Sequence, residues 1–214
     1  MEFKKSSKED ILKDDPLRDY FVWWDEITQK DVKKLQQILK TATKESALQR
    51  FFEKNSIFLI QHLGGGHGRW CIPHKRLGKE LVLDFLIGEH SSLGFEWYGL
   101  ELETPKAKLF NKNGDPSAAL THAIRQVTDW RVWLKNNIDY AKRPRDKQGL
   151  GLTDIDGNIK CFILIGRREN LNPIFSERRR QMSKDNNIEI HTYDWLIEQA
   201  EHRCAALKHK NKKR

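Results

Sequence analysis

The sequence predicts a mixed α/β domain, a central sheet flanked by helices, on three observations. Three apolar runs of strand length follow one another closely, at about residues 69–75, 81–87 and 95–103. Two segments with apolar residues at helical spacing precede them, at about residues 30–39 and 44–55. After them, helix and strand alternate to the end of the chain. Successive strands bracketed by helices, then alternating elements, build a sheet covered by helices rather than a bundle or a sandwich.

Residues 1–18 are charged and without periodicity, so a mobile arm or a loosely docked helix is expected there. Tyr20, Phe21, Trp23 and Trp24 are too apolar to stay in water and are expected to pack on the main domain or on a second subunit. Val32, Leu35, Ile38 and Leu39 share one face of the first helix. Ala47, Leu48, Phe51 and Phe52 form the stripe of the second, which Asn55 would stop. An apolar segment at 57–63 leads into the glycine-rich 64–68. That run lacks the Gly-Lys-Ser/Thr ending of a phosphate cradle and reads as a flexible loop. Residues 88–94 read as the joint between the second and third strands.

Asp115-Pro116 reads as a helix start, with Asp as cap and Pro at the first position. Leu120, Ala123, Ile124, Val127 and Leu134 give that helix its apolar face. Residues 139–158 are polar, with Pro144 and the turn Asp156-Gly157, and read as a loop or a β-excursion. A strand at 160–166, a basic helix at about 173–183, a strand at 188–191 and a helix over 193–207, capped by Thr192, complete the order. The expected division is an N-terminal arm and helix over 1–40, the main domain over 41–207 and a basic tail over 208–214.

Composition narrows the function classes. The longest apolar runs, such as residues 161–165, are far short of a membrane span, and the opening MEFKKSSKEDILKDD has no signal-peptide core. Cys71, Cys161 and Cys204 form neither a paired framework nor a metal spacing. A cytoplasmic protein with no membrane partner is expected. Lysine and arginine exceed acidic residues by 39 to 30, a net charge of +9 that is compatible with a nucleic-acid partner. Arg167, Arg168, Arg178, Arg179 and Arg180 are candidates for phosphate-backbone contacts and equally readable as a solvated helix face.

The chemistry concentrates at residues 81–106, LVLDFLIGEHSSLGFEWYGLELETPK. Asp84 interrupts one apolar run, and Glu101 and Glu103 flank Leu102 in the next. Alternate strand residues share a face, so Glu101 and Glu103 project together, opposite Leu102. A carboxylate in an apolar strand is costly unless it is paired or bound to a cation. Three that converge point to a hard, oxygen-liking ion such as magnesium. A magnesium-dependent phosphodiesterase would hold the ion with Asp84 and Glu101 and use the third side chain to orient or deprotonate water. On spacing alone a second reading stands beside it, with Asp84 capping a turn and both glutamates solvated on an edge strand. The eight histidines have no zinc spacing, and His122, one turn before Gln126, reads as a helix-face hydrogen bonder. Trp130 and Trp133 read as core residues or as lining for a subunit contact.

A resemblance adds to these readings. It is carried by KESALQRFFEKNSIFLI (44–60), LVLDFLIG (81–88), GLELETPKAKLF (99–110), GDPSAALTHAIRQVTDWRVWL (114–134), FILIGRR (162–168) and IEIHTYDWLIEQA (188–200). Over about residues 40–205 the chain resembles the Shedu antiphage-defence family, whose nuclease domain belongs to the PD-(D/E)xK phosphodiesterase superfamily. The resemblance implies an α/β restriction-endonuclease-like core with a mixed central sheet, and a metal-dependent DNA endonuclease that uses magnesium, with manganese able to substitute. It also implies DNA as partner and a homo-oligomer.

Carried over by position, Asp84 and Glu101 would be metal ligands, Gln126 would position water or phosphate, and Glu45 would approach the metal from the first core helix. Glu103 stands where the family motif usually has lysine, so it would act as base or as an extra ligand. Lys106 or Lys108 would then supply the missing positive charge. The alternative is a fold of this type that binds nucleic acid or a partner without cutting.

Overall fold

A computed structural model describes residues 17–64 and 68–212. Most of the arm expected over 1–18, and part of the glycine-rich loop, lie outside the described residues.

Helix α1, Gln29–Thr41, begins at a reciprocal cap: Thr28 Oγ1 accepts from the Asp31 amide, and Asp31 accepts from the Thr28 amide at 3.0 Å. Helix α2, Glu45–Lys54, ends where Asn55 folds its side chain back onto the Phe51 carbonyl at 2.8 Å. Strands β1, Gly68–Leu77, β2, Leu81–Ser91, and β3, Gly94–Leu102, form an antiparallel meander. Helix α3, Ala118–Asn136, and the short α4, Ile138–Lys142, lead to β4, Lys160–Leu164. Then come α5, Ser176–Asn186, β5, Ile188–His191, and α6, Tyr193–Lys212.

The sheet runs β1-β2-β3-β4-β5, with β4 and β5 parallel to β3. Parallel neighbours cannot be joined by a tight turn, so α3 carries the chain from β3 to β4 and α5 carries it from β4 to β5. The predicted mixed sheet with flanking helices is the observed architecture.

One apolar layer holds Leu35, Leu48, Phe52, Leu102 and Tyr193, from α1, α2, β3 and α6. The other holds Leu120, Val127 and Trp130 of α3 with Cys161 and Ile163 of β4. Strict alternation breaks at Asp84 on β2 and, opposite it, at His74 on β1. Leu83 belongs to the α3 layer, whereas Phe85 and Ile87 belong to the α2 layer. His74, on the facing stretch of β1, has φ +47°, a conformation that bends the pair. The β2–β3 pairing stops at Phe85–Leu100, so Asp84 stands where the two strands part.

Several expectations are corrected. β2 continues through Ser91, so the joint expected at 88–94 shrinks to Ser92-Leu93. Gly88 is there because a Cβ would meet the Trp97 ring at 2.8 Å, and Glu89 is buried against Arg69 at 3.4 Å. Composition that resembles a turn is here packing inside a strand. The α3 cap is Ser117, whose Oγ accepts from the Leu120 amide at 3.2 Å. Asp115 and Pro116 remain in the loop, where Pro116 bridges to Phe110 and Asp115 accepts from Asn113 at 2.6 Å.

Residues 139–158 carry α4 and a 3-10 turn, with Leu152 and Ile155 buried, and no strand among the described residues. Helix α6 extends to Lys212, into the segment read as a tail. The N-terminal aromatics do pack on this chain, with Phe21 bridged edge-on to Trp70. Trp130 is 1% exposed and lies in the core rather than on a contact surface.

Candidate metal centre

Two periodicities meet along β3 and α3. Residues two apart on a strand advance about 6.6 Å, and residues four apart on a helix about 6 Å. A helix lying antiparallel to a strand can therefore match i, i+2 with i, i+4, rung by rung. Gly99 faces Trp130, whose ring would lie 3.3 Å from a Cβ at position 99. Glu101 accepts a hydrogen bond from the Gln126 amide. Glu103 Oε1 lies 3.1 Å from His122 Nδ1. Glycine at the first rung draws the helix in, and the next two rungs bring polar side chains of α3 onto both glutamates.

Asp84 enters from the parting of β2 and β3, where its Oδ2 accepts from the Leu102 amide at 2.8 Å. Gln49 on α2 donates to the Asp84 carbonyl at 3.4 Å. Glu45, one turn earlier on α2, is open to solvent on one side and faces Asp84 and Glu103 on the other. Thr104 ties the end of β3 to the start of α2 by donating to the Thr43 carbonyl at 3.1 Å. The Tyr193 hydroxyl, buried beneath the site, donates to the Glu103 carbonyl at 2.7 Å.

The electrostatics are one-sided. Burial, then repulsion from Asp84, Glu103 and Glu45, lifts the Glu101 carboxyl to about 10. Burial, then Asp84 and Glu103, lifts Glu45 to about 7. Burial raises Asp84 and Glu103 as well, opposed at Asp84 by the Leu102 amide and at Glu103 by His122. The charges acting on Glu101 are all anionic, and 5% exposure leaves water little room to screen them. Glu101, Glu103 and His122 each offer one ligand atom within 4.8 Å of the others. Carboxylate oxygens with one imidazole, short of positive charge, are a donor set that fits a divalent cation.

Glu101, Glu103 and Gln126 thus come together with His122, whereas Asp84 and Glu45 act on Glu101 through their charge and lie outside the group whose ligand atoms are within 4.8 Å of one another. Lys106 and Lys108 are exposed on the turn beyond β3, and the side chain that opposes the rise at Glu103 is His122. The arginines separate. Arg167 is held by Asp194 through two hydrogen bonds, at 3.1 and 2.8 Å, and donates to the Leu39 carbonyl at 2.9 Å. Arg168 pairs with Glu198, and Arg178 donates to the Gly114 carbonyl. Arg179 lines a cleft of about 400 Å³ with Lys108, Phe110, Lys112 and Phe175.

Sequence reasoning passed over Tyr193 and Gln49, and read His122 as an ordinary hydrogen bonder. Spacing of four from Gln126 was the one signal for His122. For Gln49 the same spacing from Glu45 was available.

The site thus sits on a five-stranded mixed sheet flanked by helices, with carboxylates where β2 and β3 part and at the end of β3. Over residues 42–197 the sequence matches the family described as Shedu protein SduA, C-terminal, and the chain belongs to that family. No curated protein matches the sequence. Among solved structures, the chain is similar to the restriction endonuclease FokI bound to DNA, with a TM-score of 0.48 and 12% identity over 94% of this chain and 31% of that one. A second FokI structure gives a TM-score of 0.45 and 12% identity over 94% and 32%. The chain therefore spans about a third of the FokI chain it matches. Among the described residues no helix is long and apolar enough to cross a membrane.

Proposed function

We propose that this protein is a divalent-metal-dependent DNA endonuclease acting in antiphage defence, which hydrolyses or nicks phosphodiester bonds. One observation carries the proposal: three carboxyls, Asp84, Glu103 and Glu45, crowd Glu101 without a lysine or arginine acting on it, so full ionisation calls for a cation from solution. Magnesium is the ion that the carboxylate oxygens alone would take, with manganese able to substitute. A cation held by Asp84, Glu101 and Glu103 supplies charge neutralisation of the scissile phosphate and a lowered pKa for an attacking water.

The chain's own residues do the rest. Gln126 fixes one oxygen of Glu101 and so sets which lone pairs face the ion. Glu103, steadied by His122 and by Tyr193 beneath it, is the acceptor for a proton from water. Lys106, Lys108 and Arg179 hold the DNA backbone, and Arg168 and Arg178 extend that surface from their existing partners. Arg167, whose donors are engaged by Asp194 and Leu39, belongs to the scaffold instead. A homo-oligomer in the cytoplasm is the proposed setting.

The test is supercoiled plasmid with magnesium or manganese, comparing wild type with Asp84→Ala and Glu101→Ala. Cleavage that needs the metal and is lost in both variants is expected; cleavage that persists in both would sink the site assignment. Glu103 in the place of a lysine favours a second reading, a fold that binds DNA without cutting. That reading requires no metal-dependent cleavage by wild type and unchanged DNA affinity in Asp84→Ala.

A further inference from the structure

We infer that His122 is a metal ligand and that it biases the centre toward a first-row transition ion such as Mn²⁺ over Mg²⁺. The inference rests on the proposed metal-dependent reading of the Asp84, Glu101 and Glu103 site and deepens it.

Ligands at adjacent corners of an octahedron with bonds near 2.1 Å are about 3.0 Å apart, and opposite ones about 4.2 Å. His122 Nδ1 and Glu103 Oε1 are 3.1 Å apart, and His122, Glu103 and Glu101 each offer a ligand atom within 4.8 Å of the others. The spacing of the first pair matches adjacent ligation once Nδ1 gives up its hydrogen bond to Glu103 and turns its lone pair to the ion. The His122 side chain is 50% exposed, so one edge of the ring stays open to solvent. Its place comes from α3, where it stands one turn from Gln126 and opposite Glu103. The ring is held by its contact with the buried Glu103, which places Nδ1 beside the carboxylates.

Charge and chemistry agree on the occupant. Glu101 and Glu103, both ionised, balance a divalent ion, and a neutral imidazole completes the set without adding charge. One oxygen of Asp84 is already engaged by the Leu102 amide, which leaves the other to share. Magnesium prefers an all-oxygen sphere, whereas imidazole nitrogen suits first-row transition ions. Glu103 and the histidine facing it are then one feature: an anionic ligand from β3 and a nitrogen ligand from α3 on the same rung.

Binding reads this out without turnover. Wild-type protein is titrated with Mn²⁺ and with Mg²⁺ by calorimetry, beside His122→Ala and Glu101→Gln. Electron spin-echo spectra of the Mn²⁺ complexes report directly bonded nitrogen. The expected result is imidazole ¹⁴N coupling in wild type, absent in His122→Ala, with Mn²⁺ affinity falling about tenfold or more and the Mn²⁺-to-Mg²⁺ preference shrinking with it. His122→Ala should keep a single cooperative unfolding transition, which separates ligand loss from misfolding. Mn²⁺ binding that needs Glu101 but has no ¹⁴N coupling, or keeps it in His122→Ala, overturns the inference and leaves the metal centre standing. No Mn²⁺ or Mg²⁺ binding by wild type overturns both.

Discussion

Glu101 is 5% exposed beside Asp84, Glu103 and Glu45, and its carboxyl is lifted from about 4.5 to about 10. Because the folded value lies above the unfolded one, its contribution to stability is intact below pH about 4.5 and is lost as pH rises toward about 10. The metal-free protein should therefore melt at progressively lower temperature from pH 5 to pH 9, and Glu101→Gln should flatten that slope. A bound cation reverses the balance, since it requires the ionised carboxylate and must displace the proton. Calorimetry at pH 7 in buffers of different ionisation enthalpy should detect release of about one proton or more per metal bound, reduced in Glu101→Gln. A metal-free melting temperature that rises with pH would contradict the buried, protonated Glu101.

At the scale of elements, the site depends on how closely α3 lies along β3, and Gly99 sets that distance. A Cβ there would sit 2.9 Å from Cys161 Sγ and 3.3 Å from the Trp130 ring, both of them buried. Gly99→Ala should cost about 1–3 kcal/mol by overpacking and draw His122 and Gln126 away from the glutamates, weakening metal binding more than Gly88→Ala does. Thermal unfolding with a parallel metal titration checks both. The same pairing explains what is legible in the sequence. That Glu101 and Glu103 share a face follows from strand alternation within a few residues, and the cap and stripe of α1 are equally local. Which strand residue His122 meets depends on the register of a helix against a strand, and no local pattern encodes that. Asp115-Pro116 misleads because the bridge from Phe110 to Pro116 and the Ser117 cap override a strong local signal. Arg167 misleads in the same way, since its partner Asp194 lies on α6 and its third contact, Leu39, on α1.

For the molecule as a whole, a net charge of +9 would attract the proposed nucleic-acid partner, and unengaged cations are best placed to trade counterions for its phosphates. Arg179 and Lys108 share a cleft whose other cation is Lys112, with Glu169 as the opposing charge. Arg167 instead joins the end of β4 to α1 and α6, and its side chain is 21% exposed beside an Asp194 that is 20% exposed. The two kinds of arginine should separate experimentally. Binding of a short DNA duplex, followed in calcium across a salt series, should lose about one unit of salt slope in Lys108→Ala and again in Arg179→Ala, with unfolding midpoints unchanged. Arg167→Ala should keep the slope and instead lower stability by about 1–3 kcal/mol, because Asp194 is left part-buried without its partner. If Arg167→Ala reduced the slope and Arg179→Ala did not, the DNA would have to cross the α6 side of the sheet rather than the cleft beside β3. The acidic centre would then face away from the backbone it is proposed to cut.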